Sequence, residues 1–114
     1  MGKFQPVLSA IVKFSLGNTR RFRNAAGPHI RKFRVARELS QDQLAAKVQL
    51  LGLDIDRVTI AKIESQIRSL YDFELAVIAA ALNISTAELG LREKDFATLL
   101  PPLMKGQVSI RKKH

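Results

Sequence analysis

Between Gly27 and Leu91 the chain alternates apolar residues at helical spacing with short polar breaks. Gly27-Pro28 is a strong break, and a proline suits a first helical turn because its missing N–H has no intrahelical partner there. Ile30, Phe33 and Arg34 then share one face, which predicts a helix over about 29–38. Ser40-Gln41-Asp42-Gln43 has the capping-box spacing. Leu44, Ala45, Val48 and Leu51 follow it as an apolar stripe, and Gly52 supplies a stop that accepts positive φ. Asp56 is a good N-cap for a short helix, Arg57 to Glu64, with Ile60 and Ile63 on its inner face. Leu75, Ile78, Ala79 and Leu82 predict a fourth helix from Asp72 to Leu82, ended by Asn83. Ser85 to Glu88 is a second capping box and opens a short fifth helix to about Leu91. No segment keeps a period of two between hairpin turns, so the fold class is all-α, with five helices.

The ends carry weaker patterns. Residues 4–16 predict a short amphipathic segment, which Gly17-Asn18 interrupts before the basic run Arg20 to Arg23. Lys13 breaks the apolar stretch, so a secretory signal fits poorly. Pro101-Pro102 predicts a stop to any helix begun at Asp95, and the basic residue 111–114 end reads as a flexible tail. The organisation is therefore a basic N-terminal arm over 1–26, a helical domain over 27–92 and a basic C-terminal extension over 93–114.

Charge sharpens that division. The net charge is +9. Residues 1–26 hold five basic residues and no acid, 27–92 hold nine basic against eight acidic, and 93–114 hold five against two. A balanced domain between basic arms suits a polyanion, whose counterions are released as phosphates are neutralised. The chain lacks cysteine, which removes disulfides, thiolate metal sites and a cysteine nucleophile. His29 and His114 are isolated, so no metal site is expected, and no cofactor motif or linked catalytic residues point to an enzyme. No apolar run reaches the length of a membrane span.

The ordered set IRKFR (30–34), LSQDQLAAKV (39–48), VTIAKIE (58–64) and LAVIAAALNISTAEL (75–89) resembles the lambda-repressor-like (Cro-like) helix-turn-helix family. The resemblance implies a DNA-binding domain in which Arg57 to Glu64 is the recognition helix. It assigns base contacts to Arg57, Val58, Thr59 and Lys62, and phosphate contacts to Gln41, Gln66, Arg68 and Ser69. It also implies a structural salt bridge between Arg34 and Glu64. Arginine and lysine can donate to guanine O6 and N7, and Val58 or Thr59 can meet a thymine methyl. Two departures stand out. The turn Gly52 to Asp56 exceeds the usual 3–4 residues, and Ser65-Gln66 replaces the family's Asn-Gly after Glu64.

The expected function is sequence-specific transcriptional regulation, by repression, through a homodimer on double-stranded DNA in a prokaryotic cytoplasm. Leu89, Leu91, Phe96, Leu99, Leu100, Leu103 and Met104 offer apolar surface for the dimer. Two rivals use the same fold: an antitoxin that binds a toxin protein and its own promoter, and an adaptor that binds proteins without reading DNA. A membrane-surface role for the basic amphipathic N-terminus is a third.

Overall fold

The computed structural model describes residues 22–112. Arg23–Leu91 form one compact unit, so the folded domain begins four residues before Gly27. It holds five helices: α1 (Gly27–Ala36), α2 (Gln41–Leu50), α3 (Arg57–Glu64), α4 (Asp72–Ala81) and α5 (Thr86–Leu89). Among the described residues there is no strand.

The starts follow local side-chain chemistry. Ser40 Oγ accepts from the Gln43 N–H at 3.0 Å, and Gln43 Oε1 accepts from the Ser40 N–H at 2.8 Å, closing the capping box of α2. Asp56 Oδ1 accepts from the Thr59 N–H at 2.9 Å at the head of α3. Each bond occupies an N–H that the helix itself leaves unpaired.

The ends of α1 to α4 share one device. Glu38, Gly52, Gln66 and Asn83 all take positive φ. After each, an apolar residue donates its N–H back over the last turn: Leu39 to Arg34 O, Leu53 to Val48 O, Ile67 to Lys62 O and Ile84 to Ala79 O. This is the Schellman stop, whose apolar closing residue packs back towards the helix. Leu39, Leu53 and Ile84 pack against the core. Gly52 and Asn83 tolerate that backbone readily, whereas Glu38 and Gln66 carry the left-handed penalty of roughly 1–2 kcal/mol.

One face of each helix meets in a single core. Ile30, Leu44, Val48, Ile60, Ile63, Ile78, Leu82 and Leu89 are almost wholly removed from water. At roughly 1.5–3 kcal/mol per buried aliphatic side chain, this cluster is the main stabilising term. Leu89 belongs to it, which corrects its expected place on a dimer surface: α5 turns it inward.

Gly27 has a packing role beyond punctuation. A Cβ there would overlap the Ile63 carbonyl oxygen and lie 3.0 Å from the Glu64 carbonyl oxygen, so only glycine lets the start of α1 approach the end of α3 this closely. A few residues on, Arg34 joins the same two helices. Its Nε lies 2.7 Å from Glu64 Oε2 and its Nη2 3.0 Å from Oε1, while Nη1 donates to the Leu39 carbonyl at 2.7 Å. The Glu64 side chain is only 3% exposed. Its hydrogen bond with Glu64 raises the Arg34 pKa, against burial, which lowers it.

Arg92 onward belongs to a separate unit, which contains a 3-10 turn, Glu93–Asp95, and α6 (Phe96–Lys112). Here the sequence reading needs correction. Pro101 and Pro102 lie inside α6 and do not stop it, and the expected flexible tail is helical to Lys112. A proline ring fixes φ near the helical value, so two adjacent prolines can continue a helix at the cost of missing N–H bonds and crowding of the preceding turn. The amphipathic segment expected over 4–16 lies outside the described residues.

Arg34→Ala would strand a buried Glu64 carboxylate and is expected to cost roughly 3–5 kcal/mol in urea unfolding. An unchanged midpoint would show that the pair contributes nothing to the fold.

Candidate nucleic-acid interface

Helix α3 has two unlike faces. Ile60, Ile63 and Glu64 are buried, whereas Arg57, Val58 and Lys62 are exposed. Thr59 and Ala61 are half-buried. Asp56 anchors the first turn, and the Thr59 N–H holds its carboxyl below the usual carboxylate range.

The long turn before α3 is braced. It spans Leu51 to Asp56, and Gln49 Nε2 reaches across it to the Ile55 carbonyl at 2.8 Å. Ile55 is buried and Leu53 packs on the core. Two apolar plugs and one amide therefore hold the turn, and with it the entry angle of α3. Sequence reasoning missed Gln49, which has the ordinary look of a solvated helix residue. Arg57 Nε lies 3.9 Å from Asp42 Oδ1, with both side chains mostly exposed. Such a pair contributes about 0–1 kcal/mol and leaves Arg57 able to turn elsewhere.

The residues expected at phosphates divide. Ser69 is exposed. Gln41 is half-buried and its Nε2 donates to Glu64 Oε1 at 3.1 Å, so its amide joins the Arg34–Glu64 pair. Gln66 is buried, and its Nε2 donates to the Asn24 carbonyl at 3.0 Å. Its backbone is left-handed, with φ 65°. Arg68 is half-buried and forms a fork with Glu74, at 3.0 Å from Nη1 to Oε1 and 3.0 Å from Nη2 to Oε2.

Asn24 is the largest omission of the sequence reading, which placed it in the arm. Its Nδ2 donates to the carbonyls of Ile63 at 3.0 Å and Arg68 at 2.8 Å, and its Oδ1 accepts from the Gly27 N–H at 2.7 Å. A lone asparagine two residues before Ala26-Gly27 carries no periodic signal. Glu74 was also missed, hidden within the apolar run of α4. His29 Nδ1 donates to the Leu89 carbonyl at 3.1 Å and so ties α1 to α5. Among the described residues no group of three metal-ligating side chains converges, and no single helix is long and apolar enough to cross a membrane.

A family model described as Helix-turn-helix matches residues 30–89. None of the curated proteins matches the chain. Among solved structures, the crystal structure of a hypothetical transcription factor from Neisseria is similar in fold, with a TM-score of 0.55 and 24% identity over 68% of this chain and 84% of that one.

Burial raises the Glu74 pKa, but hydrogen bonds from Arg68 and the Tyr71 N–H outweigh it and hold the carboxyl below its ordinary value. The unfolded chain therefore takes up this proton first as pH falls. The associated stability is present above the unfolded value, about 4.3, and drains away as pH falls through the lower folded one. Urea unfolding from pH 6 to pH 3 is expected to show a shallower loss for Glu74→Gln than for the wild type. Equal slopes would mean that Glu74 titrates alike in both states.

Proposed function

The chain belongs to the lambda-repressor-like helix-turn-helix family of DNA-binding domains, and from that premise we propose that it is a sequence-specific repressor of transcription that binds its operator as a homodimer. The observation that carries this reading is the outward face of α3, where Arg57, Val58 and Lys62 stand exposed on a helix whose other face is locked by Ile60, Ile63 and Glu64. A short helix presented this way fits the major groove. Arg57 and Lys62 donate to guanine, while Val58, with Thr59 beside it, meets a thymine methyl. Ser69 and the outer edge of Arg68 contact phosphate. Gln41 does so through the main chain at the start of α2, since its amide serves Glu64.

One such helix reads only a few base pairs, so two half-sites about one helical turn apart supply the remaining specificity. On α6, Phe96, Leu100 and Met104 recur one turn apart, with Phe96 and Met104 exposed, and form the apolar contact between protomers. The nearly balanced charge of residues 27–92 gives the basic arms the larger share of nonspecific attraction to DNA, and the protein works in the cytoplasm of a prokaryote.

Selection from a genomic DNA library compares the wild type with Arg57→Ala plus Lys62→Ala. A roughly palindromic site should be enriched by the wild type. The double variant should bind that site more weakly by about 1–3 kcal/mol per lost contact while unfolding normally. If neither protein enriches a motif and both lose DNA smoothly with salt, the attachment is electrostatic and the reading fails.

A further inference from the structure

Phe96, Leu99, Leu100, Leu103 and Met104 of α6 recur at i, i+3, i+4, i+7 and i+8, the spacing of a helix with one apolar face. At 3.6 residues per turn they cover an arc of about 140°, broader than the narrow seam that a single partner helix occupies. Phe96 and Met104 are exposed, the three leucines are half-buried, and none of the five belongs to the core of the helical domain. Pro101 and Pro102 withhold two backbone donors from α6. A helix so weakened needs a packing partner to persist in water.

Outside the helical domain the same spacing recurs over Phe4, Val7, Leu8, Ile11 and Val12, with Pro6 where a first helical turn accepts it. The two segments leave the domain from neighbouring points. His29 Nδ1 donates to the Leu89 carbonyl at 3.1 Å, so the start of α1 and the end of α5 lie side by side. Residues 17–22, which join the first segment to the domain, span at most roughly 20 Å. The link from Leu91 to Phe96 is shorter still. Short links from adjacent points bring the two apolar stripes together at high effective concentration. An antiparallel pair lets both links turn back to the same place, and it sets Arg20 and Arg21 beside the head of α6. There Asp95 Oδ2 is removed from water and has no hydrogen-bond partner among the described residues. By helical phase Asp95 falls next to Leu99, on the edge away from Met104. Residues 1–26 hold no acid, so the arm brings only cations to that carboxylate.

We propose that residues 4–16 form a helix that packs antiparallel on α6 of the same chain, along Leu99 and Leu103, with Arg20 and Arg21 facing Asp95. The other edge of α6, at Phe96, Leu100 and Met104, stays open to a second copy. Two helices that are marginal alone thereby become one unit, and the basic arm is held against the dimer contact instead of trailing from the domain. The pairing does not rest on the DNA reading, which concerns the face of α3.

Hydrogen–deuterium exchange of the full chain without DNA, read at several protein concentrations, tests the pairing. In the wild type, residues 4–16 should be protected to the same degree at every concentration. Leu8→Asp plus Ile11→Asp should speed exchange over 96–104 about tenfold or more, read at the lowest concentration. Leu99→Asp plus Leu103→Asp should do the same over 4–16, which separates a mutual contact from damage to one helix. Peptides around Ile30 and Ile63 should keep their wild-type rates in both variants, and Lys13→Gln, on the opposite side of the segment, should change neither region. Residues 4–16 that exchange as an unprotected chain in the wild type overturn the pairing. So does protection of 96–104 that is indifferent to Leu8→Asp plus Ile11→Asp. Protection of 4–16 that falls on dilution places the segment on a second copy and overturns the pairing within one chain.

Discussion

The carboxylate of Glu64 is buried at the end of α3 and holds partners from two other helices: Arg34 of α1 and Gln41 of α2. A buried charge is tolerated only when it is paired and hydrogen-bonded, and here three side-chain donors meet its two oxygens. The consequence is geometric more than energetic. Burial of Ile60 and Ile63 sets which face of α3 turns inward. The directed bonds at Glu64, with Gly27 pressed against the carbonyl of the adjacent Ile63, add a register that apolar contact alone does not specify. Asp56 and Gln49 fix the other end.

Much of the fold was legible because its signals are local. The boxes Ser40–Gln43 and Ser85–Glu88, the cap at Asp56 and the stops at Gly52 and Asn83 each need only a few neighbouring residues. The stops at Glu38 and Gln66 were not legible, since neither residue prefers a left-handed backbone; the apolar residues that follow, Leu39 and Ile67, are the surviving trace of the motif. Leu89 and the helix through Pro101-Pro102 were misread for a related reason. Which face a short helix turns inward, and whether a helix continues through missing donors, is decided by surroundings that the sequence does not order in space.

The exposed face of α3 was legible. Arg57, Val58 and Lys62 follow from helical phase once Ile60 and Ile63 are placed inside. The side chains that support it were not. Gln41, Gln66 and Arg68 have side chains suited equally to a phosphate or to a neighbour, and the fold commits much of each to a neighbour. Asn24 reaches the carbonyls of Ile63 and Arg68, residues 39 and 44 positions away. No local pattern encodes such a bond. The result is a division of labour: polar residues behind α3 and in its loop hold the fold, and those in front stand exposed.

That division makes the placement of α3 the central claim, and the crystal structure of the chain bound to its selected duplex measures it most directly. The account predicts α3 in the major groove, Arg57 and Lys62 within hydrogen-bond distance of guanine O6 or N7, and the Glu64 oxygens still on Arg34 and Gln41. A duplex contacted only along its phosphates, with the outward face of α3 turned away from the bases, would contradict it.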